Sequence, residues 1–368
     1  MIQPADIPIP PDLSRRYGGS SSGRGWLASL PGLVRHCLDQ WQLELDLAPG
    51  ALPRNGHGAI VIPVRHGASA RTGTEFGNGT LGTARQAAVL KIAYPHDEAL
   101  VEPQALALWD GHGAVRLLAG DAGAGALLLE RLDAARSLHN APLDEAVPVW
   151  GALVRQLGLV PDGRPEWRDF DHVAARAEQW SDELPESWER LGRPFPRWLL
   201  EAALEVCQTR GAVGRRSGRD VLVHTDLHYL NILAGLPGEE PESGGGEAAA
   251  GWAAIDPQPM IGEAEFAVAP LLWNRIRELS RADPERGLRE RCRDFSMAAG
   301  LDAEVARQWS LAREVENALW YASTPGHDGD LARSLWVAST LAGRTLPELP
   351  APHGLPAPGV PASRDFRH

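Results

Sequence analysis

The spacing of hydrophobic positions changes near residue 133. Before that point, short apolar stretches have the pattern of β-strands and are separated by turn residues such as Asn55 and Gly56. These stretches predict strands at 43–47, 59–64, 87–93, 115–118 and 126–132. Hydrophobic residues spaced three and four apart predict helices over 26–41 and 102–109. The first third of the chain is therefore predicted to be rich in β-structure.

After residue 133 the spacing typical of helices dominates. It predicts helices at 143–157, 170–180, 198–207, 267–279, 288–299, 303–321 and 331–341. Short strands are predicted within this part at 221–223, 232–233 and 252–255. We therefore expect an α+β protein with a β-rich N-terminal lobe and a larger, mainly helical C-terminal lobe that holds a small hairpin.

Segments rich in glycine and proline divide the chain further. Residues 1–25 are predicted to be a flexible leader, 26–132 the N-terminal lobe, 133–346 the C-terminal lobe and 347–368 a proline-rich tail without regular structure. Two other segments have a composition that favours neither helix nor strand. They are an extended loop at 67–83 and a disordered insert at 235–251.

The balance of charge argues against two classes of partner. The 368 residues include 36 basic and 48 acidic ones, which gives a formal net charge of −12. Such a chain repels nucleic acids and anionic membranes unless it has a local basic patch, and it attracts a cationic small molecule. Its three separated cysteines suggest neither a disulfide framework nor a zinc site, and no stretch approaches the ~20 apolar residues of a membrane span. We expect a cytoplasmic protein and a monomer.

Lys91 is the only lysine of the chain, and every other basic residue in that count is an arginine. A lysine that remains under such a bias either survives by chance or does something that arginine cannot do. Its ammonium group is a compact point charge with three donors on a flexible stem. Both interpretations stay open from composition alone.

The most specific segment follows the strand predicted at 221–223. It places Asp226 and Asn231 in one loop, at the spacing of a kinase catalytic loop, and a further carboxylate, Asp256, ends the next apolar strand. Phosphoryl transfer uses such a set, because one aspartate orients the attacking hydroxyl while an asparagine and a second aspartate hold magnesium. Magnesium prefers these hard oxygen ligands. The set therefore predicts a phosphotransferase.

Residues upstream fit the same chemistry. Lys91 ends a predicted strand, where its ammonium group could reach nucleotide phosphates, and Glu102 begins the next helix, where it could pair with Lys91. The alternative is an ordinary surface ion pair, which would contribute little. The turn at 55–58 lies where a phosphate-covering loop is expected but lacks the full glycine pattern. The backbone of 127–132 lies between the lobes and could meet an adenine edge.

Together these residues resemble the aminoglycoside phosphotransferase family, and most of all its branch of aminoglycoside (streptomycin) 6-phosphotransferases and hydroxyurea phosphotransferases. The resemblance spans 26–341 and is carried by 89–91, 102, 106–111, 114–118, 127–132, 224–231, 254–257 and 262–275. It implies a bilobal protein-kinase-like fold with a small antiparallel sheet in the N-terminal lobe. It also implies ATP as the phosphoryl donor, with GTP left open, and Mg²⁺.

The resemblance also implies roles for single residues. These are catalytic base for Asp226, magnesium ligand for Asn231 and Asp256, nucleotide binding for Lys91 and Glu102, and contact with the nucleotide base for the Glu130 carbonyl and the Leu132 amide. Glu263 and Asn274 are predicted to contact the acceptor, because they follow the metal-binding strand. A carboxylate there would suit a guanidinium or ammonium group.

Three departures from the family pattern matter. Ala267 stands where many relatives have an acidic residue that braces the catalytic loop, and Glu263 or Glu265 is the expected substitute. Thr225 stands where a glycine is usual. Pro103 requires Glu102 to lie at the start of its helix, because proline suits the first turn and not the interior.

Some of these residues have plainer interpretations. His224, Asp226 and His228 could bind a transition metal, but no other cluster of histidine or cysteine completes the ligand shell. We therefore expect His224 to hold the loop through hydrogen bonds to backbone carbonyls, and His228 to be structural. Trp273 and Trp320 lie on apolar helical faces and are expected in the core rather than in an aromatic platform.

We expect an ATP- and magnesium-dependent enzyme that phosphorylates a hydroxyl of an aminoglycoside, with streptomycin at its 6-position as the first choice and antibiotic resistance as the consequence. The same chemistry on hydroxyurea, a sugar or an amino alcohol is the first alternative, because a fold does not fix a substrate. The second is a nucleotide-binding pseudokinase that acts as a scaffold, which Ala267 keeps open.

Overall fold

The structure is a computed structural model that describes residues 7–358, with gaps at 49, 57, 67–86, 96, 212–218 and 238–248. Its strands are β1 (Leu43–Leu45), β2 (Arg54–Asn55), β3 (Ala59–His66), β4 (Ala87–Ala93), β5 (Leu117–Asp121), β6 (Ala126–Glu130), β7 (Leu132–Ser137), β8 (Asp220–His224), β9 (Ile232–Gly235), β10 (Trp252–Ala254) and β11 (Pro259–Glu263). Its α-helices are α1 (Pro11–Tyr17), α2 (Ser21–Trp41), α3 (Asp97–Trp109), α4 (Leu143–Leu157), α5 (Val173–Arg190), α6 (Arg197–Arg210), α7 (Ala269–Trp273), α8 (Pro284–Ala299), α9 (Ala303–Ser323) and α10 (Asp328–Leu341).

The described residues form two compact units. Unit 1 holds those up to residue 136 together with those of 233–244 and 250–258, and unit 2 holds the others. An antiparallel sheet in the first and helices in the second confirm the predicted α+β class. No helix in the described part of the chain is long and apolar enough to cross a membrane.

The sheet of unit 1 has the strand order β1-β3-β4-β6-β5, and β2 pairs with β3. On β4, Leu90 and Ile92 are buried in the same hydrophobic cluster as Leu30 and Val34 of α2. Because neighbouring side chains on a strand point to opposite faces, Lys91 lies on the face turned away from that cluster. The pattern of β4 therefore separates the core side of the sheet from the side that carries chemistry.

The described part of the predicted leader is folded. α1 and the start of α2 lie in it, and the Ser20 hydroxyl caps α2 by accepting a hydrogen bond from the Gly23 amide at 3.0 Å. Ile7 and Leu13 are buried in the same cluster as the sheet. The expectation of a flexible segment over 7–25 is wrong, because Ile7 and Leu13, with the partly buried Ile9 and Tyr17, pack against this cluster.

A second sheet, with the order β10-β9-β7, places β10 and most of β9 in unit 1. The sequence predicted this hairpin in the C-terminal lobe, because it lies between the helices of that lobe along the chain. Because β9 pairs with β7, the hairpin belongs mostly to unit 1 instead. As a consequence, Asp256, which follows β10, belongs to the same unit as Lys91.

Unit 2 is built around α9, which packs against α5, α6, α8 and α10. Trp309, Val315 and Leu319 of α9 are buried there. β8 and β11 form an antiparallel pair in which His224 lies opposite Pro259. β11 was not predicted, because a single short strand next to a helical pattern gives little signal of its own.

Several boundaries differ from the predicted ones. α3 begins at Asp97, so Pro103 lies inside the helix and Glu102 does not start it. The helix predicted over 267–279 ends at Trp273, because Asn274 is extended and Arg275 has a left-handed backbone with φ of 50°.

In the predicted unstructured tail, Leu355 is buried and its carbonyl accepts from Arg277 at 2.9 Å. The loop predicted at 67–83 and residues 238–248 of the insert lie outside the described residues.

Candidate active site

The first group of predicted site residues meets in unit 1. The Nζ atom of Lys91 on β4 donates to both carboxylate oxygens of Glu102 on α3, at 2.6 and 2.7 Å, and to Oδ1 of Asp256 at 2.5 Å. Lys91 and Glu102 are buried, whereas the Asp256 side chain is 42% exposed. The interpretation as a surface ion pair is therefore wrong. The only lysine of the chain joins two carboxylates that lie far apart in the sequence.

The backbone around Asp256 fixes the direction of its side chain. The amide of Ala254 donates to the Gly113 carbonyl at 2.9 Å, and the Val115 amide donates to the Ala254 carbonyl at 2.8 Å, which hold the end of β10. Asp256 itself has a φ of 56°, in the left-handed region that aspartate tolerates better than most residues. Such backbone strain persists where the surrounding structure imposes it, as at functional sites.

The charges of this group are unequal. Burial alone would lower the pKa of Lys91, but the carboxylates of Glu102 and Asp256 outweigh that effect and raise it, so the side chain stays an ammonium ion. One ammonium ion faces two carboxylates, which leaves an excess of negative charge. A divalent cation at the exposed Asp256 would offset this excess and favour an anionic phosphate beside Lys91.

The turn predicted to cover phosphates lies beside the same aspartate. A Cβ atom added at Gly56 would lie 3.5 Å from Oδ2 of Asp256, and the Gly56 amide donates to the Ala59 carbonyl at 3.1 Å. The bare backbone of this turn therefore approaches a candidate metal ligand closely. The predicted role of this turn in covering a phosphate stays a prediction.

The segment predicted to contact the nucleotide base is held by its middle residue. Arg131 donates to the Val64 carbonyl at 2.7 Å, to the Ala88 carbonyl at 3.2 Å and to the Asp46 carboxylate at 2.6 Å. The hydrogen bond from Arg131 is the main cause that lowers the pKa of Asp46. The backbone at Glu130 and Leu132 is thus fixed against β3 and β4. Their contact with a nucleotide base stays a prediction.

The second group of predicted residues meets in unit 2, directly after β8. The Asn231 side-chain nitrogen donates to the Asp226 carbonyl at 2.9 Å and to Oδ2 of Asp226 at 3.3 Å. The His228 amide donates to the same carbonyl at 2.9 Å, which closes the loop into a tight turn. The Asp226 side chain is 25% exposed. The loop therefore fixes a carboxylate that remains open to solvent.

Side chains of unit 2 contact the loop at Leu227 and Tyr229. The Trp150 indole nitrogen donates to the Leu227 carbonyl at 3.0 Å. The guanidinium group of Arg275 lies 5.1 Å from the centre of the Tyr229 ring, which is fully buried. These contacts make the loop a rigid element rather than a mobile one.

His224 and His228 both contact Asp226 of the catalytic loop. His224 accepts from the Asp226 amide through Nδ1 at 3.3 Å, and His228 lies 3.6 Å from the Asp226 carboxylate and packs against Trp273. In the described part of the chain, no three histidine, cysteine, aspartate or glutamate side chains are placed to hold a metal ion. Trp320, in contrast, is 50% exposed, so its predicted place in the core is wrong.

Neither residue predicted to contact the acceptor presents its polar group to a ligand. The buried Glu263 carboxylate accepts from the Trp309 indole at 2.8 Å and from Arg210 at 3.2 Å. The Asn274 side chain donates to the Pro270 carbonyl at 3.1 Å, where it satisfies the end of α7. Both predictions are therefore corrected. These polar groups belong to the interior of unit 2.

One contact of the catalytic loop was missed from the sequence. Arg313 of α9 donates from Nη1 to the Thr225 carbonyl, next to Asp226, and its guanidinium group lies 5.1 Å from the centre of the Phe266 ring. No sequence signal marks this arginine among the many others. The contact joins residues that are distant along the chain, so only the fold shows it.

Comparison with known proteins identifies the family. Residues 47–325 match the family described as aminoglycoside/hydroxyurea antibiotic resistance kinase. The chain is 33% identical over 321 residues to streptomycin 6-kinase of Streptomyces griseus, which covers 85% of this chain and 91% of that protein. It is 36% identical over 355 residues to hydroxyurea phosphotransferase of Kitasatospora aureofaciens, which covers 92% of this chain and 87% of that protein. The resemblance inferred from the sequence is confirmed.

Proposed function

Because the chain belongs to the aminoglycoside/hydroxyurea antibiotic resistance kinase family and is thus a phosphotransferase, we propose that it transfers the γ-phosphoryl group of ATP, with magnesium, to the 6-hydroxyl of streptomycin. The observation that carries the chemistry is the Asp226 carboxylate, held by Asn231 and open to solvent. The residues act by position and charge, since phosphoryl transfer needs little covalent chemistry from the protein.

Asp226 orients the acceptor hydroxyl and receives its proton. A carboxylate does this only if it is ionised and points in a fixed direction. Asn231 fixes that direction through its hydrogen bond to Oδ2 of Asp226, while the Asp226 backbone carbonyl accepts from Asn231 and from the His228 amide. An acceptor hydroxyl bound next to the carboxylate then loses little entropy on reaching the transition state.

Each unit offers an oxygen donor of the kind that magnesium prefers. The Asn231 nitrogen is used by Asp226, so the side-chain oxygen is the atom that the amide can offer to a metal. Asp256 offers a partly exposed carboxylate. Both are hard oxygen donors, which magnesium prefers. When bound, magnesium neutralises charge on the nucleotide phosphates.

The nucleotide is bound by unit 1. Lys91, oriented by Glu102, contacts the phosphates as a point charge. The backbone carbonyl of Glu130 and the amide of Leu132 contact the base, in a segment that Arg131 holds in place. ATP is the proposed donor.

The acceptor is proposed to be cationic. Trp320 is half-exposed, and its ring centre lies 5.0 Å from that of Tyr321. Burial is the main cause that raises the pKa of Tyr321; Glu314, Asp330 and Asp226 add to it and Arg333 opposes it, so the Asp226 carboxylate lies near enough to this pair of rings to act on it. An aromatic face beside carboxylates favours a cation. An aminoglycoside is such a cation, and the net charge of −12 favours its approach.

Hydroxyurea is the second candidate acceptor, because the chain is 36% identical to a hydroxyurea phosphotransferase over 92% of its length. Hydroxyurea is small and uncharged, so it would gain nothing from the carboxylates around Tyr321. The kinase chemistry would be the same for both acceptors. The choice between them therefore rests on acceptor binding alone.

The test is magnesium-dependent release of ADP with streptomycin, other aminoglycosides, hydroxyurea and simple sugars, with the Asp226→Ala variant as the blank. Turnover confined to streptomycin, with the phosphate located at the 6-position by NMR, supports the proposal. Turnover with hydroxyurea alone would contradict streptomycin as the acceptor and support hydroxyurea. Tight ATP binding without transfer to any acceptor would favour a scaffold instead.

A further inference from the structure

A single peptide bond in the catalytic loop is held at both of its ends. The Thr225 carbonyl accepts from Nη1 of Arg313, and the Asp226 amide donates to Nδ1 of His224 at 3.3 Å. All of these residues belong to unit 2. This peptide bond directly precedes Asp226, so the orientation of its plane determines the direction in which the Asp226 backbone continues.

Arg313 is itself held rigidly. Its guanidinium group lies over the ring of Phe266, which is buried, at 5.1 Å from the ring centre. Its helix, α9, packs against most of the other helices of the unit. A planar donor that is stacked on a ring and anchored on a central helix has little freedom to move. The position of the Thr225 carbonyl is therefore fixed by the core of the unit.

The residues expected to brace the loop do not do so. Ala267, which replaces an acidic residue of the family pattern, is buried and has no polar side-chain atom. Glu263 is engaged by Trp309 and Arg210, and Glu265 accepts from the Asp302 amide at 3.2 Å. Neither expected substitute has a hydrogen bond to the loop among these contacts.

We infer that Arg313 is the positioning residue of the catalytic loop: it braces the loop through the Thr225 carbonyl in place of the missing acidic side chain. The inference rests on the proposed role of Asp226. If the carbonyl is released, the peptide plane can rotate and the Asp226 carboxylate swings with it. A displacement of about 1 Å at a catalytic group costs on the order of 10²-fold in rate, even when the substituted residue does not touch the substrate.

The matched control lies on the same helix. Arg307 of α9 also donates a guanidinium hydrogen bond to a backbone carbonyl, that of Leu341, at 2.6 Å, but it does not contact the catalytic loop. Arg313→Ala and Arg307→Ala therefore each remove a guanidinium bond to a backbone carbonyl from the same helix, and Arg307→Ala also removes an ion pair with Glu304. Arg313→Lys keeps the positive charge but replaces the planar group that lies over Phe266.

The experiment compares these variants by turnover, thermal unfolding and hydrogen exchange of the segment 221–232. For Arg313→Ala we expect kcat to fall about 10²-fold, with KM for ATP and for the acceptor changed by less than about 3-fold, since both binding surfaces stay intact. Arg313→Lys should retain part of the activity. Guanidinium ions at millimolar concentration should restore part of kcat in Arg313→Ala and none in Arg307→Ala. The Asp226 amide should exchange faster only when Arg313 is replaced.

Equal kcat in Arg313→Ala and Arg307→Ala would overturn the inference, and so would a loss of kcat that follows the loss of thermal stability in both variants. If the unsubstituted protein transfers phosphate to no acceptor, the proposed function fails, but exchange at Asp226 still decides the inference. Faster exchange in Arg313→Ala would then support it, and unchanged exchange would refute it.

Discussion

Lys91 and Glu102 form a bidentate ion pair inside unit 1, with Nζ at 2.6 and 2.7 Å from the two carboxylate oxygens. Neither residue is exposed by more than a tenth. Removal of one partner from a buried pair is costly, because the other charge is left without compensation in a medium that solvates it poorly. Here the lysine also bonds to Asp256, so the pair sets the position of a candidate metal ligand.

We expect Lys91→Arg to lose at least about 10²-fold in kcat/KM, because a planar guanidinium group cannot occupy the point where three carboxylate oxygens converge. Turnover with ATP and calorimetric titration of the nucleotide measure the effect. Arg65→Ala is the control, since it breaks an exposed ion pair with Asp46 and should change stability by no more than about 1 kcal/mol. Normal turnover in Lys91→Arg would show that arginine can replace this lysine, and that the only lysine of the chain is retained by chance.

Asp226→Asn should lower kcat by about 10²–10⁴-fold and leave the affinity for ATP unchanged. The amide keeps the size of the side chain but cannot take a proton from the acceptor. Single-turnover phosphoryl transfer and nucleotide binding are the two measurements. Asp294→Asn, at an exposed pair with Arg293 on α8, should leave both unchanged. A variant with full turnover would remove Asp226 from the mechanism.

Candidate site residues could be predicted from the sequence where they lie at a fixed spacing within one short segment. Asp226 and Asn231 lie in one short loop, and Lys91 lies in a predicted strand, so the positions of these three residues could be predicted without the fold, while their roles stay predictions. Arg313 could not be, because its bond to Thr225 joins α9 to the loop after β8 and arginines are common on helices. The burial of Glu263 and the folded start of the chain depend in the same way on what packs against them. Sequence patterns report local structure, and these contacts are not local.

Trp320→Ala should raise KM for a cationic acceptor about 5- to 30-fold, the equivalent of about 1–2 kcal/mol, with little change in kcat. The half-exposed ring is the proposed face for the cation. Trp320→Phe should raise KM less than Trp320→Ala does, because an aromatic face remains. Initial rates over a range of acceptor concentrations give the result. Met297→Ala removes an exposed apolar side chain of α8 and serves as the control. Equal KM values in the two alanine variants would exclude Trp320 from the acceptor site.

Glu314 makes stability depend on pH in an unusual direction. It is fully buried on α9, and burial is the main cause that raises its pKa to about 7, against smaller opposing effects of Ser334, Arg313, Asn317 and Arg333. An unfolded glutamate has its ordinary pKa, near 4.5. Between these two values the folded protein binds more protons than the unfolded chain. The stability contributed by this group is therefore complete at low pH and is lost as the pH rises toward 7.

Glu314→Gln should remove this dependence. We expect the free energy of unfolding of the variant, relative to the unsubstituted protein, to increase by about 1–3 kcal/mol between pH 5 and pH 8. Urea unfolding at several pH values gives the difference directly. The control is Glu304→Gln on the same helix, because the hydrogen bond from Arg307 lowers the pKa of Glu304 and its contribution to stability is lost as the pH falls, not as it rises. A difference between Glu314→Gln and the unsubstituted protein that stays constant from pH 5 to pH 8 would show that Glu314 is already ionised throughout this range, with the arginines of α9 and α10 compensating its charge.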